Sequence, residues 1–403
     1  MTTSSRRHVG YAGAAVLVAG AVTNVLGYLV TMLGARQLSA GDLGALATVL
    51  AIAAIVGVPG MGLQIAVAVH RARRPGAAAG RVSWPTAAGC AVAVALLAPA
   101  AGPLLDLSAA VILPLAVYTG AVVVAGRWLG ELQGDQRFRR LALGMVVLAV
   151  GRYGGLIAGL LLGAGLTGSV LLGTASAMLV PPVLAALTRG SAAPRDDHGV
   201  TAKQVFTACS ATLAMLVVSY ADLILARDLL PAAASGGYAV GTVLTKGALW
   251  APQVVTVLAL PRLARGSRRA LAIALGLVTG CGAVLVAASA LAGGLAFRLA
   301  GGPGYAELGR YAPMFAATGA LYALVFVLVN AQVAAGARWP SAPLWVATVA
   351  LVALCEWLVP ATLPAIMWSA VGTAALALAA TAFATVRHGA GRLPGAIPAS
   401  TAA

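Results

Sequence analysis

Residues Ser219 to Arg269 read SYADLILARDLLPAAASGGYAVGTVLTKGALWAPQVVTVLALPRLARGSRR. Two apolar helices flank a short turn, and the second ends in arginines. The segment Gly236 to Leu260 is long enough to cross a bilayer, which takes roughly 20 residues. It nevertheless carries Lys246 near its centre, and the preceding helix carries Asp222 close to its outer end. Ionisable groups at such depth are costly, so they usually face a bundle interior or a watery cavity. Tyr238, Thr242, Lys246, Trp250 and Gln253 recur at i+4 and i+3 and share one helix face, as do Thr212, Met215, Ser219 and Asp222. Such a stripe either lines a cavity or holds helices together, since polar side chains also serve as contacts between helices in lipid.

Outward from this stretch, composition sets the class. The chain is 61% hydrophobic and 9% charged, with 49 glycines. A soluble chain of this length would need more polar residues to cover its surface; this is the profile of a polytopic all-α membrane protein. The length criterion gives about twelve transmembrane helices. They lie near Val9–Met32, Leu43–Val69, Val82–Ala101, Leu107–Leu129, Leu141–Leu162 and Leu166–Leu187, then Val205–Ala226, Gly236–Leu260, Ala270–Phe297, Tyr311–Ala334, Leu344–Val359 and Ile366–Val386. The shortest is Leu344–Val359.

The loop charges orient the chain. With the N-terminus inside, Arg36, Arg227, Arg298 and Arg310 are the only outside loop cations, and Arg152 and Lys246 lie deep within spans. The remaining Lys and Arg, in clusters such as Arg71 to Arg81, Arg137 to Arg140 and Arg262 to Arg269, fall inside. This asymmetry predicts a multi-pass protein with both termini cytoplasmic; the expected location is the bacterial plasma (inner) membrane. The asymmetry also accounts for the net charge of +16 without a nucleic-acid partner; membrane lipids are the expected neighbours. Arg6 and Arg7 before an apolar run resemble a signal peptide, but the run is too long and lacks a small-residue cleavage site, so an uncleaved first span is expected.

Cys90, Cys209, Cys281 and Cys355 sit far apart within spans and show no C-x-x-C spacing, which suggests neither a metal site nor a disulfide framework. The four histidines fall in loops or at helix ends. No extramembrane segment is large enough for a catalytic domain, so no enzyme activity, catalytic residue or cofactor is expected. The domain reading is an N-lobe over 1–188, a cytoplasmic linker over 189–203, a C-lobe over 204–388 and a disordered tail over 389–403.

The halves echo each other. Ala35-Arg36-Gln37-Leu38-Ser39 precedes a span with Thr48-Val49-Leu50, and Ala226-Arg227-Asp228-Leu229-Leu230 precedes one with Thr242-Val243-Leu244. Both spans carry a proline, Pro59 or Pro252, and both lead into an arginine cluster. Proline removes a backbone donor and kinks helices, so both prolines are expected hinges. Each half holds an even number of spans, which makes the halves parallel six-helix repeats; transporters of this kind rock two bundles about a central site.

These residues carry a family resemblance. The turn A-R-x-L-S and the following G-x-L match Ala35 to Leu46, and L-Q-G-x-x-R-F matches Leu132 to Phe138. The aspartate before I-L-x-A matches Asp222 to Ala226, the G-x-Y and L-x-P-R-L pattern matches Gly236 to Leu263, and G-x-x-Y-A matches Gly301 to Ala306. With these motifs the chain resembles the polysaccharide-biosynthesis (O-antigen and lipid-linked oligosaccharide) flippases of the multidrug, oligosaccharidyl-lipid and polysaccharide exporter superfamily. The resemblance implies two six-span lobes around a cavity open to one side at a time. It also implies a polyprenyl-pyrophosphate-linked sugar cargo moved to the outer leaflet, with other polysaccharide-assembly proteins as candidate partners. The chain departs from the lipid II branch in having no further C-terminal pair of spans and no charge within its first span.

On this reading a pyrophosphate needs cationic partners, and Arg152 and Lys246 are the candidates, one in each lobe. Asp222 is placed to pair with Lys246 in the empty protein. Asn24, Tyr28, Gln253 and Asn330 supply amide and hydroxyl partners for sugars. The alternative is a cation-coupled exporter of small drugs from the same superfamily, for which Asp222 and Glu356 are the available intramembrane carboxylates.

Overall fold

The computed structural model describes residues 3–74, 80–105, 108–189, 199–301 and 303–390. They form a polytopic all-α membrane bundle, and no strand occurs among them. The helices are α1 (Thr3–Gln37), α2 (Ala40–Val56), α3 (Val58–Arg73), α4 (Gly80–Leu105), α5 (Ala109–Gly134), α6 (Phe138–Leu161), α7 (Gly165–Met178), α8 (Val180–Leu187), α9 (Ala202–Leu229), α10 (Ala232–Ala264), α11 (Arg268–Gly301), α12 (Ala312–Ala335), α13 (Ala342–Ala353) and α14 (Leu363–Ala390). Among the described residues, ten stretches are long and apolar enough to cross a membrane, and the two arms of α10 form one more, bent span. The apolar segment Ala342–Leu358, which ends in a π turn, is shorter. It is the one already shortest in sequence.

Local chemistry sets the helix ends. Ser39, in the A-R-x-L-S turn, accepts the Asp42 N–H at 3.2 Å and donates to its carboxylate at 2.9 Å, an N-cap that starts α2. The L-Q-G-D-Q-R stretch is a C-cap. Gln136 adopts φ 59°, and the Arg137 N–H returns to the Leu132 carbonyl at 2.9 Å. Gly336 ends α12 in the same way, at φ 74° with the Ala337 N–H on the Gln332 carbonyl. Both are Schellman closures, which satisfy the last carbonyls of a helix.

The chain divides into two compact units, Met1–Leu213 with Val254–Ala270, and Ala214–Gln253 with Leu271–Ala403. The first unit is knit by glycines at four-residue spacing. On α5, Gly126, Gly130 and Gly134 face α3; a Cβ at Gly126 would meet the Gly60 carbonyl, and one at Gly130 would lie 2.6 Å from the Gln64 carbonyl. On α6, Gly151, Gly155 and Gly159 meet Val180, Leu172 and Ser169 of α7 and α8. Without a hydrophobic drive between helices in lipid, such close backbone approach is what holds them together. The core beside these seams includes Leu46, Val49, Leu115, Tyr118, Leu156 and Leu160.

The second unit packs around aromatic rings. Tyr238 and Phe315 meet edge to face, with centroids 5.1 Å apart, and Phe297 lies 6.0 Å from Phe315. Gly241 leaves room for the Phe315 ring. Gln332 of α12 donates to the Thr381 carbonyl and the Thr385 hydroxyl of α14, at 2.9 and 3.0 Å. At Ala292 α11 is kinked, where the backbone leaves helical angles (φ −125°, ψ 24°) beside the close approach of Gly293 to the Gly309 carbonyl.

The structure refines three expectations. The early break falls at Gly57, between α2 and α3, and Pro59 lies in the first turn of α3. Proline is at home there, because the missing N–H is one that a first helical turn leaves unpaired anyway. Arg71, read as a solvated loop cation, lies within α3, is 5% exposed, and holds Asp135 with Nε–Oδ1 and Nη2–Oδ2 distances of 2.9 and 3.3 Å. The polar stripe of α10 does not face water along its length, since Tyr238 and Thr242 are buried in the second unit. The side chains of Trp250, Pro252 and Gln253 lie outside the described side chains, although the backbone there is helical and the arms Ala234–Leu249 and Val254–Ala264 bend by 41°. Most of the linker, 190–198, and the tail from 391 also lie outside the described residues.

Candidate functional site

In the first unit, α6 places Arg152 near the middle of a membrane-crossing helix. Its Nε donates to the Tyr118 hydroxyl of α5 at 3.0 Å, and its guanidinium lies 5.5 Å from the centroid of the Tyr153 ring. Gly27 of α1 lies opposite the Tyr153 ring, where even a Cβ would make only an ordinary contact, 3.7 Å from the Tyr153 hydroxyl. These residues border a cavity with about 120 Å³ of space, walled by Val49, Leu50, Ala53 and Ala54 of α2, Leu115 of α5, Leu156 of α6, and Val170, Gly173 and Thr174 of α7. The wall is apolar except at the Arg152–Tyr118–Tyr153 corner and the Thr174 hydroxyl. The latter is bonded to the carbonyls of Val170 and Pro114.

In the second unit, Asp222 of α9 is 2% exposed. Its carboxylate accepts the Tyr238 hydroxyl at 2.9 Å and the Leu223 N–H at 2.9 Å. Lys246 does not form the expected ion pair with it. The Lys246 ammonium lies 4.1 Å from the centroid of the Tyr220 ring, a cation–π contact that cushions a charge without neutralising it. With two donors already on Asp222, the lysine finds its stabilisation on the aromatic face.

The remaining candidates do not gather into one described site. Asn24 and Asn330 each bond the carbonyl four residues earlier on their own helix, Gly20 and Phe326, at 2.8 Å. Tyr28 is 74% exposed. Gln253 is outside the described side chains. Arg152 belongs to the first unit and Lys246 to the second. Among the described residues no group of His, Cys, Asp and Glu is arranged to hold a metal ion, and the described cysteines are free.

Sequence reasoning placed Tyr238 on the Lys246 stripe but missed Tyr118, Tyr153 and Tyr220. Tyr118 and Tyr153 hold Arg152, Tyr220 carries Lys246, and Tyr238 holds Asp222. A signal was present in the chain: Tyr153 adjoins Arg152, and Tyr220 lies two residues before Asp222. In lipid an aromatic ring is one of the few side chains able to stabilise a cation without adding charge.

No protein-family model matches the chain, and no curated sequence matches it. Solved structures do. The chain is similar to a multidrug resistance MATE family transporter of the MOP superfamily in an outward-facing conformation, with a TM-score of 0.73 and 13% identity over 95% of each chain. It is similar to the Vibrio cholerae MATE transporter VcmN in the bent form, with a TM-score of 0.76 and 13% identity over 96% of this chain and 98% of that one. A MATE structure in the straight conformation gives 0.72 at 13% identity, over 94% and 96%. At this identity the likeness establishes the fold, and it runs nearly end to end: this multi-pass membrane chain has the fold of the MATE transporters.

Proposed function

We propose that the protein is a membrane transporter that carries an amphipathic molecule by exposing a binding cavity to one side of the membrane at a time. The observation that carries this reading is the MATE fold over about 95% of the chain. An apolar cavity bearing a single charged residue at membrane depth adds to it, since such residues mark substrate paths. On cargo, the neighbours favour export of small organic molecules, because the first of them is a multidrug resistance transporter. A second reading, translocation of a lipid-linked oligosaccharide from the cytoplasmic to the outer leaflet, is favoured by Arg152 and Lys246. Among the described residues neither has a carboxylate within ion-pair distance, as suits an anionic pyrophosphate.

Reconstitution separates the two. Purified protein in proteoliposomes is loaded with a dye or with a polyprenyl-pyrophosphate oligosaccharide. Dye clearance driven by an imposed proton or sodium gradient supports small-molecule export. Protein-dependent appearance of the glycan on the opposite leaflet supports the second reading. Movement of neither substrate under any gradient overturns transport.

A topology follows from the same reading. Single cysteines placed at Arg139 and Arg268 on a cysteine-free background are expected to resist a membrane-impermeant maleimide in intact cells, while one at Ser39 labels. Labelling at Arg268 in sealed cells would reverse the orientation that the loop charges imply.

A further inference from the structure

We infer that the cavity between α1, α2, α5, α6 and α7 is an anion subsite: Arg152 and Tyr118 bind the oxygens of a compact phosphate, sulfonate or carboxylate group, and the aliphatic wall takes the apolar chain attached to it. The inference rests on the transport reading for its purpose and on the charge balance of the first unit for its chemistry.

A guanidinium stays protonated in proteins. A charge held at membrane depth therefore requires a partner or water. The described carboxylates of this unit are engaged elsewhere. Asp42 is bonded to Ser39, Glu131 lies 3.0 Å from Arg127, and Asp135 is paired with Arg71; Asp106, Asp196 and Asp197 lie outside the described residues. Arg152 instead meets one tyrosine hydroxyl and one tyrosine ring. Tyr118 accepts from Nε, so its own hydroxyl hydrogen remains free to donate. The guanidinium has five N–H donors in a planar fork suited to bidentate oxyanions, and the bond to Tyr118 uses the Nε donor. Among the described residues, the corner thus presents donors and positive charge with no carboxylate to balance it.

Size narrows the ligand. About 120 Å³ of space is well below the roughly 300–1,000 Å³ of a drug-sized pocket. The cavity holds a head group and the first atoms of a chain, not a whole bulky molecule. Its apolar wall on α2 and α7 offers no second charge, which selects a group of one sign attached to something greasy.

The test is binding to the purified full chain in a non-ionic detergent, with dodecyl phosphate, inorganic phosphate and dodecyltrimethylammonium as probes, followed by calorimetry. Dodecyl phosphate is expected to bind and dodecyltrimethylammonium not to. Inorganic phosphate that competes with dodecyl phosphate at similar concentration identifies a free oxyanion as the ligand; its failure to compete identifies a lipid-like anion. A charged hydrogen bond contributes about 1.5–3 kcal/mol, so Arg152→Gln should weaken dodecyl phosphate at least about tenfold, with partial recovery in Arg152→Lys and a smaller loss in Tyr118→Phe. Ala54→Phe fills the cavity from its wall, leaves Arg152 in place and should also abolish binding, which keeps the question open to test if Arg152→Gln does not fold. Unchanged dodecyl phosphate affinity in Arg152→Gln or Ala54→Phe, or tighter binding of the cationic amphiphile, overturns the subsite. Because binding is read without a gradient, anion binding without movement in proteoliposomes counts against transport alone, and movement without anion binding counts against the subsite alone.

Discussion

Gly126→Leu is expected to remove most of the folded, monodisperse protein from detergent extracts. Leucine favours helix over glycine, so any loss must come from packing. On α5 the position faces Gly60 of α3 so closely that even a Cβ would meet the Gly60 carbonyl. Backbone cannot rotate out of the way as a side chain can, so the two helices would have to separate, and the neighbouring approaches at Gly130 and Gly134 would open with them. Overpacking a tight core costs about 1–3 kcal/mol, occasionally more, and a backbone-to-backbone seam belongs at the upper end. Fluorescence-detected size exclusion after heating reads the effect. Gly89→Leu on α4 is the matched control, because a Cβ there has nothing within 4 Å; it should leave the melting temperature unchanged or slightly raised. Equal behaviour of the two variants would mean that the α3–α5 seam does not hold this unit together.

Asp135→Ala should be nearly as damaging. The Arg71 side chain is 5% exposed and the Asp135 side chain 15% exposed, and the two meet in a bidentate pair. Removing one partner of a buried pair leaves the other charge uncompensated, at a cost of about 3–5 kcal/mol. Replacing both with apolar residues of similar size is often close to neutral, so Arg71→Met combined with Asp135→Leu should recover most of the lost stability. The single variant is expected to melt well below the parent and the double variant near it. A double variant no better than Asp135→Ala would show that Arg71 is held mainly by its other contacts, and a wild-type melting curve for Asp135→Ala would show that the pair contributes nothing.

Both predictions concern residues whose weight was hidden in the sequence. Arg71 belongs to a cluster of arginines that loop-charge counting assigns to water; only the close packing of the α5 end on α3, with Gly134 against Arg71, brings Asp135 to it. Glycines at four-residue spacing were visible in α5 and α6, yet glycine is abundant throughout this chain. Nothing local separates Gly126, where a Cβ would meet backbone, from Gly89, where a Cβ would have nothing within 4 Å.

What the sequence determined by itself is the class and the order of the elements. Apolar runs of bilayer length leave little choice but helices, since backbone groups in lipid must bond within their own segment. That is why the spans, the short one after Leu344 included, could be placed without coordinates. It also marked Arg152, Lys246 and Asp222 as exceptional, because a charge within an apolar run is costly wherever it finally lies. Tertiary structure alone decided what each charge meets. Lys246 and Asp222 have opposite signs and suitable spacing, yet Tyr238 and the Leu223 amide occupy the carboxylate and Tyr220 takes the ammonium. Arg152 acquires a cavity because α2 and α7, distant in sequence, supply small and aliphatic walls around it. Helix formation in lipid is a local matter that composition dictates; the partner of a buried charge depends on which side chains several separate helices bring within about 3 to 4 Å of it, the distance over which hydrogen bonds and ion pairs act.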